Sequence, residues 1–152
     1  MTTKNNLDKS FGPAGSFAGL ILFAAGIVIT IFSFAGLILV LIGSFVGFTT
    51  TSTQTDFEKK RMRFVNQLFG LIPSGNWINI EPDMKIGIKN SKKAWRIYSR
   101  SNRTLDLQNN DYRLILYNSV GKEIMPIQKT ISLVDAKLNV DKISQLLGIG
   151  VI

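Results

Sequence analysis

The sequence predicts a membrane-embedded α-helical hairpin followed by a small cytoplasmic α+β domain, whose antiparallel strands form a partial barrel capped by a C-terminal helix. Three observations carry that prediction. No residue from Ser10 to Thr55 ionises. From Gly75 onward, short apolar-polar alternations are separated by turn residues. A single amphipathic repeat then closes the chain between Ser132 and Gly148. Composition agrees: of 152 residues 45% are hydrophobic and mean hydropathy is +0.19, although 18% are charged. That is an apolar third averaged with a polar remainder, and long apolar stretches signal a membrane more than a core.

Residues 1–11 read as a cytoplasmic tail carrying Lys4 and Lys9. The hairpin occupies 12–52. As one helix, the uncharged run would reach roughly 70 Å, more than twice a hydrocarbon core of about 30 Å. Two spans, about 13–32 and 35–51 with a turn near Ser33–Gly36, use that length well. A cleaved signal peptide is a poor fit, because the apolar core is too long and a second apolar segment follows at once. Small residues recur on one face of each span: Gly12, Gly15, Gly19, Gly26, Thr30 and Ser33 on the first, Gly36, Gly43, Gly47 and Thr50 on the second. Gly15, Gly19, Gly26, Gly36, Gly43 and Gly47 are the candidate helix-packing residues, since close backbone approach holds helices together in lipid. These faces either pack on each other or dock a helix of another integral membrane protein. Basic residues flank the hairpin on both sides and the turn carries none, so the positive-inside rule puts both termini in the cytoplasm.

Residues 53–72 form a juxtamembrane basic segment. Thr55 and Glu58 make a capping-box pattern for a new helix. Phe57, Phe64, Val65, Leu68 and Phe69 give it an apolar stripe beside Lys59, Lys60, Arg61 and Arg63, which suits either a helix lying on anionic headgroups or a continuation of the second span that packs on the soluble domain.

The remaining domain, 73–152, begins with strands at Trp77–Ile80, Met84–Ile88, Trp95–Tyr98 and Tyr112–Tyr117. Breaks are expected at Pro82-Asp83, Asn90-Ser91, Ser101-Asn102, Asn109-Asn110 and Val120-Gly121. Glu123–Lys129 is a further strand, and Pro126 marks it as an edge. The final helix, about 133–147, has Ser132 as N-cap and Gly148 as its stop, with Leu133, Ala136, Val140, Ile143 and Leu147 on its apolar face.

The stretches "KAWRIYSRSNRTLDL", "YRLILYNSVGKEIMPI" and "SLVDAKLNVDKISQLLG", together with the order of elements, resemble bacterial (Bacteroidota-type) two-helix membrane proteins with a C-terminal pleckstrin-homology-like domain. The resemblance implies a scaffold that binds lipids, peptides or neighbouring subunits in the cytoplasmic (inner) membrane. In pleckstrin-homology domains a basic loop between the first two strands holds phosphorylated headgroups, and "KNSKKAWR" resembles that loop. The candidate anionic-surface residues are therefore Lys59, Lys60, Arg61, Arg63, Lys89, Lys92, Lys93, Arg96, Arg100 and Arg103, within a chain of net charge +8. A merely solvated cationic face is the alternative.

The absence of cysteine excludes disulfides and thiolate chemistry, and the absence of histidine removes the usual neutral-pH base and commonest metal ligand. No P-loop, G-x-S-x-G or Rossmann pattern occurs, and no ionisable residue lies within the spans. The expectation is a non-catalytic accessory or scaffold subunit of a larger membrane complex, with no cofactor, metal or small-molecule substrate. An anionic-lipid-binding module is the second reading. Trp95, Tyr98 and Tyr117 amid basic residues offer bases a stacking surface, yet on strands such aromatics belong to cores and no RNA-binding signature is present. The nucleic-acid version that survives is ribosomal contact beside a translocation complex.

Overall fold

The computed structural model describes the backbone of residues 2–98 and 104–152, and the side chains of residues 2–91 and 111–152. Along the chain the elements are β1 (Thr2–Lys9), α1 (Gly12–Thr30), α2 (Ala35–Phe48), β2 (Thr50–Asp56), β3 (Arg61–Leu68) and β4 (Ile72–Ser74). They continue as β5 (Trp77–Asn79), β6 (Lys85–Tyr98), β7 (Thr104–Tyr117), β8 (Glu123–Thr130), α3 (Leu133–Leu147) and β9 (Gly150–Val151). One sheet has the order β1-β2-β3-β4, with β5 also paired to β3. The other has the order β8-β7-β6-β9. Strands β3–β4, β3–β5, β6–β7 and β7–β8 pair antiparallel, and β9 runs parallel to β6. Two compact units result: residues 7–52 with 65–75, and residues 1–6, 53–64 and 76–152.

In the first unit α1 and α2 fold back on each other. Ile31, Phe32 and Ser33 close the turn through amide bonds to Val28 and Ile29 carbonyls, and Ser33 Oγ accepts from the Ala35 amide at 3.3 Å. Five of the six candidate glycines lie where the helices meet. A Cβ on Gly19 would come within 2.8 Å of Gly47 Cα, and one on Gly26 within 2.6 Å of the Val40 nitrogen. Gly36 abuts Thr30, and Gly43 abuts Phe23. Gly15 differs, since its nearest neighbour is Phe11 of its own first turn. The small faces are thus spent on the intrachain contact, and the outward faces carry the large apolar side chains.

Among the described residues only α1, with 19 residues and a mean hydropathy of 1.9, is long and apolar enough to cross a bilayer by itself. The second span, expected at about 35–51, is shorter. Its helix stops at Phe48 because Thr49 turns extended (φ −69°, ψ 123°) and its hydroxyl bonds the Phe45 carbonyl. The run Thr49-Thr-Thr-Ser-Thr that follows is β-branched almost throughout and continues into β2. The N-terminal tail is likewise a strand, β1, beside β2 in the sheet. There Asp8 and Thr51 exchange bonds of 3.2 and 3.0 Å, and the Ser10 amide donates to the Thr49 carbonyl at 3.1 Å.

The second unit holds the main core. Ile86 of β6, Leu114 and Leu116 of β7, and Met125 and Ile127 of β8 meet Ala136, Val140, Ile143 and Leu147 of α3, with Met62 of β3 fully buried among them. Each large aliphatic side chain buried there contributes about 1.5–3 kcal/mol. The α3 ends follow sequence chemistry: Ser132 Oγ accepts from the Val134 amide at 3.2 Å, and Gly148 closes the helix at φ +71°. Leu133, expected on the apolar face, is 41% exposed at the first position of α3, and burial begins at Ala136.

Three expectations are corrected. The juxtamembrane helix at 53–72 is a β-hairpin, β2 and β3, so the β-rich unit takes in residues well before 73. Met62 and Val65, both buried three residues apart on one strand, imitate helical spacing. The breaks at Asn90-Ser91 and Asn109-Asn110 do not occur. They fall almost opposite each other in an unbroken 14-residue pairing of β6 with β7, where Ser91 faces Asp111 and Lys92 faces Asn110. Continuous cross-strand pairing outweighs the local turn preference of both dipeptides. "KNSKKAWR" is accordingly strand, and the basic loop that the resemblance implied is not formed there. The break expected at Ser101-Asn102 lies outside the described residues. Pro126 does fall on an edge strand, opposite Ile115 at a register shift.

Candidate binding surface

The basic face is built on the β2–β3 turn. A chain that reverses over residues 57–60 must satisfy its turn amides, and Asp56 does so. Its Oδ1 accepts from the Lys59 amide at 3.3 Å and its Oδ2 from Arg61 Nε at 3.3 Å. Lys60 adopts φ +44°, and its carbonyl accepts from the Ile80 amide at 2.8 Å, which ties the turn to the residue after β5. Burial works to raise the Asp56 pKa, but the Lys59 amide and the Arg61 guanidinium outweigh it and hold the carboxyl below its ordinary 3.8.

Arg63 Nε donates to Gln54 Oε1 at 2.9 Å. Trp77 stands directly opposite Arg63 in the β3–β5 register. Both guanidiniums lie over its indole, Arg61 at 4.4 Å and Arg63 at 4.6 Å from the ring centroid. Such stacking contributes about 0.5–1 kcal/mol per cation at exposed sites. It also fixes two cations as a rigid pair in place of two wandering side chains.

The other candidate cations are placed elsewhere. Lys89, on β6, pairs with Glu123 of β8 at 2.5 Å, and that hydrogen bond holds its pKa above 10.5. Lys92, Lys93 and Arg96 follow along β6, registered with Asn110, Asn109 and Asp106 of β7. Their side chains, like Arg100 and Arg103 entirely, lie outside the described residues. Among the candidates, Arg61 and Arg63 are brought together on Trp77, whereas Lys60 Nζ would stand 3.6 Å from a Cβ on Gly148 at the end of α3, and Lys59 lies in the turn before them.

The same unit contains a cavity of about 490 Å³ lined by Thr3, Asn5, Phe57, Gln128, Asn139, Lys142, Ile143 and Leu146. Its wall mixes amide side chains and one ammonium with an apolar side from Phe57, Ile143 and Leu146, a composition suited to binding and without an evident acid–base pair. Among the described residues, no three acidic side chains gather as a metal site requires.

Sequence reasoning missed Asp56, Gln54 and Trp77 as partners of the basic cluster. The signal for Trp77 lay in strand pairing, which a linear pattern does not record. Compared with family models, curated proteins and solved structures, the chain matches none.

Proposed function

We propose that this chain is a non-catalytic accessory or scaffold subunit of a larger assembly in a bacterial cytoplasmic membrane. Its helical hairpin sits in the bilayer, and its β-rich unit presents a binding surface at the cytoplasmic side. The observation that carries the reading is the outward surface of α1 and α2. With the glycines turned inward, Phe17, Ile21, Val28, Ile38 and Leu41 are each more than half exposed. In water a continuous surface of this kind promotes aggregation; in a bilayer it is covered by acyl chains or by the helices of another membrane protein. Lys4 and Lys9 before the hairpin, and Lys59 to Arg63 after it, favour an orientation with both ends cytoplasmic. The antiparallel strands β6, β7 and β8 packed against α3 support the pleckstrin-homology-like reading of the β-rich unit. Partners are then other integral membrane proteins at the hairpin and an acidic protein surface at Lys59–Arg63.

Crosslinking in native membranes followed by mass spectrometry tests the proposal. Reproducible crosslinks from the hairpin and the 57–63 turn to the same partner support it. Recovery of the protein alone, from crosslinked membranes and from gentle detergent alike, counts against it.

A second reading, binding of anionic lipid, draws on one feature: the Trp77 indole stacked with Arg61 and Arg63, a combination favoured at membrane surfaces. A piece comprising 56–152 would lack β1 and most of β2, so the whole chain in lipid nanodiscs is the proper sample. Amide protection at 57–63 that is indifferent to anionic lipid content and to salt removes this reading.

A further inference from the structure

We infer that the β3–β4 turn is a second membrane contact, with Leu71 and Ile72 immersed in lipid beside the end of α2. The inference rests on the membrane placement of the hairpin and adds to it a segment that the apolar run Ser10–Thr55 does not include.

Depth comes from the helices. Gly47, next to the end of α2, packs against Gly19, which lies seven residues inside α1. At 1.5 Å per residue α1 continues about 10 Å beyond that level before Gly12. The 14 residues of α2 reach only about 21 Å, against about 30 Å of hydrocarbon. The chain before α1 turns back to this level, since the Ser10 amide donates to the Thr49 carbonyl at 3.1 Å and the Phe11 ring meets the Phe45 ring at 5.5 Å. When α1 spans the bilayer, the end of α2 therefore lies at the lipid interface, and whatever packs on that end lies there too.

The β3–β4 turn packs on it. The Phe69 ring meets the Phe45 ring at 5.4 Å, and Phe45 in turn meets Phe11 at 5.5 Å. The Phe69 amide donates to Thr49 Oγ1 at 3.3 Å, and a Cβ on Gly70 would stand 3.3 Å from the Phe48 carbonyl oxygen. Leu71 and Ile72, next in the chain, are 81% and 57% exposed. These two aliphatic side chains, placed outward at this depth, have lipid as their natural occupant.

Two independent features fit lipid and not water. From Phe64 to Ile80 no residue ionises, so the whole turn lacks charge although basic and acidic residues bracket it. The backbone at the tip is internally bonded as well. Gly70 and Leu71 amides donate to Gln67 and Leu68 carbonyls at 3.3 and 3.1 Å, and Phe69 uses Thr49. Non-helical backbone survives at membrane depth only when its polar groups are satisfied within the protein.

The chain has no cysteine, so single cysteines report without background. Leu71→Cys, Ile72→Cys, Leu22→Cys in α1 and Val120→Cys in the β7–β8 turn are each labelled with an environment-sensitive fluorophore. The full-length protein is then placed in phosphatidylethanolamine–phosphatidylglycerol vesicles containing lipids spin-labelled at shallow or deep acyl positions. Leu71 and Ile72 are so exposed that cysteine there removes little packing. The expected result is a blue-shifted emission at both sites, quenched more by the shallow label, with Leu22 quenched more by the deep one and Val120 by neither. Quenching at Leu22 with water-like, unquenched emission at 71 and 72 overturns the inference and leaves the hairpin placement standing. Water-like emission at all four sites overturns both.

Discussion

Gly43 of α2 lies so close to Phe23 of α1 that a Cβ on it would stand 2.7 Å from the Phe23 Cα and 2.8 Å from the Gly19 carbonyl oxygen. Gly47, one turn on, has more room: its nearest neighbour would be the Leu20 nitrogen at 3.1 Å. Gly43→Ala therefore costs more than Gly47→Ala, by an amount within the roughly 1–3 kcal/mol typical of overpacking. Reversible unfolding of the two variants in mixed micelles checks the order. Equal stabilities would mean that the helices do not meet in this register.

The termini of α3 give a second prediction. Ser132→Ala removes the acceptor for the Val134 amide and costs about 1 kcal/mol. Gly148→Ala forces a Cβ into φ +71° and costs a similar amount, about 1 kcal/mol. Denaturant titrations followed by circular dichroism should place both midpoints below that of the parent. An unchanged Gly148→Ala midpoint would show that the helix does not end in a left-handed cap.

Asp56 makes stability depend on pH at the acid end. Its carboxyl is held below 3.8, so its contribution is present above that value and is lost as pH falls through the depressed one. Asp56→Asn keeps an acceptor for the Lys59 amide but removes the charge facing Arg61. The variant should be less stable than the parent at neutral pH, and the difference should shrink below about pH 3.8. Melting temperatures compared from pH 2 to 7 test this, and a gap independent of pH would refute it.

Stacking on Trp77 predicts coupling between residues of two strands. A double-mutant cycle with Arg61→Ala and Trp77→Ala should yield an interaction energy of about 0.5–1 kcal/mol. Strict additivity would mean that the guanidinium and the indole meet without consequence.

How much of this was legible in the sequence depended on whether the deciding contact was local. The helices α1 and α3 could be read from hydropathy and caps, because Ser132 and Gly148 act on residues next to them. The edge position of β8 followed from Pro126 alone. The β2–β3 hairpin could not be read, since its buried residues Met62 and Val65 fall at helical spacing and only pairing to β5 reveals a strand. For the same reason β6 and β7 looked broken, as Asn90-Ser91 and Asn109-Asn110 are weak points that each strand's partner covers. The four basic residues of 59–63 were visible as charge. Their partners Asp56, Gln54 and Trp77 were not, because proximity in folded space left no mark on spacing.

Strand β1 emerges from the ribosome before either helix, yet its neighbour β2 is made only after both. The Asp8–Thr51 bonds cannot form until residue 51 exists. For that interval the residues of β1 remain single, with their edge open to chance pairing. Completion of the sheet thus records that the intervening segment has already doubled back, and a chain stalled before Thr50 would expose the lone strand to quality-control proteases.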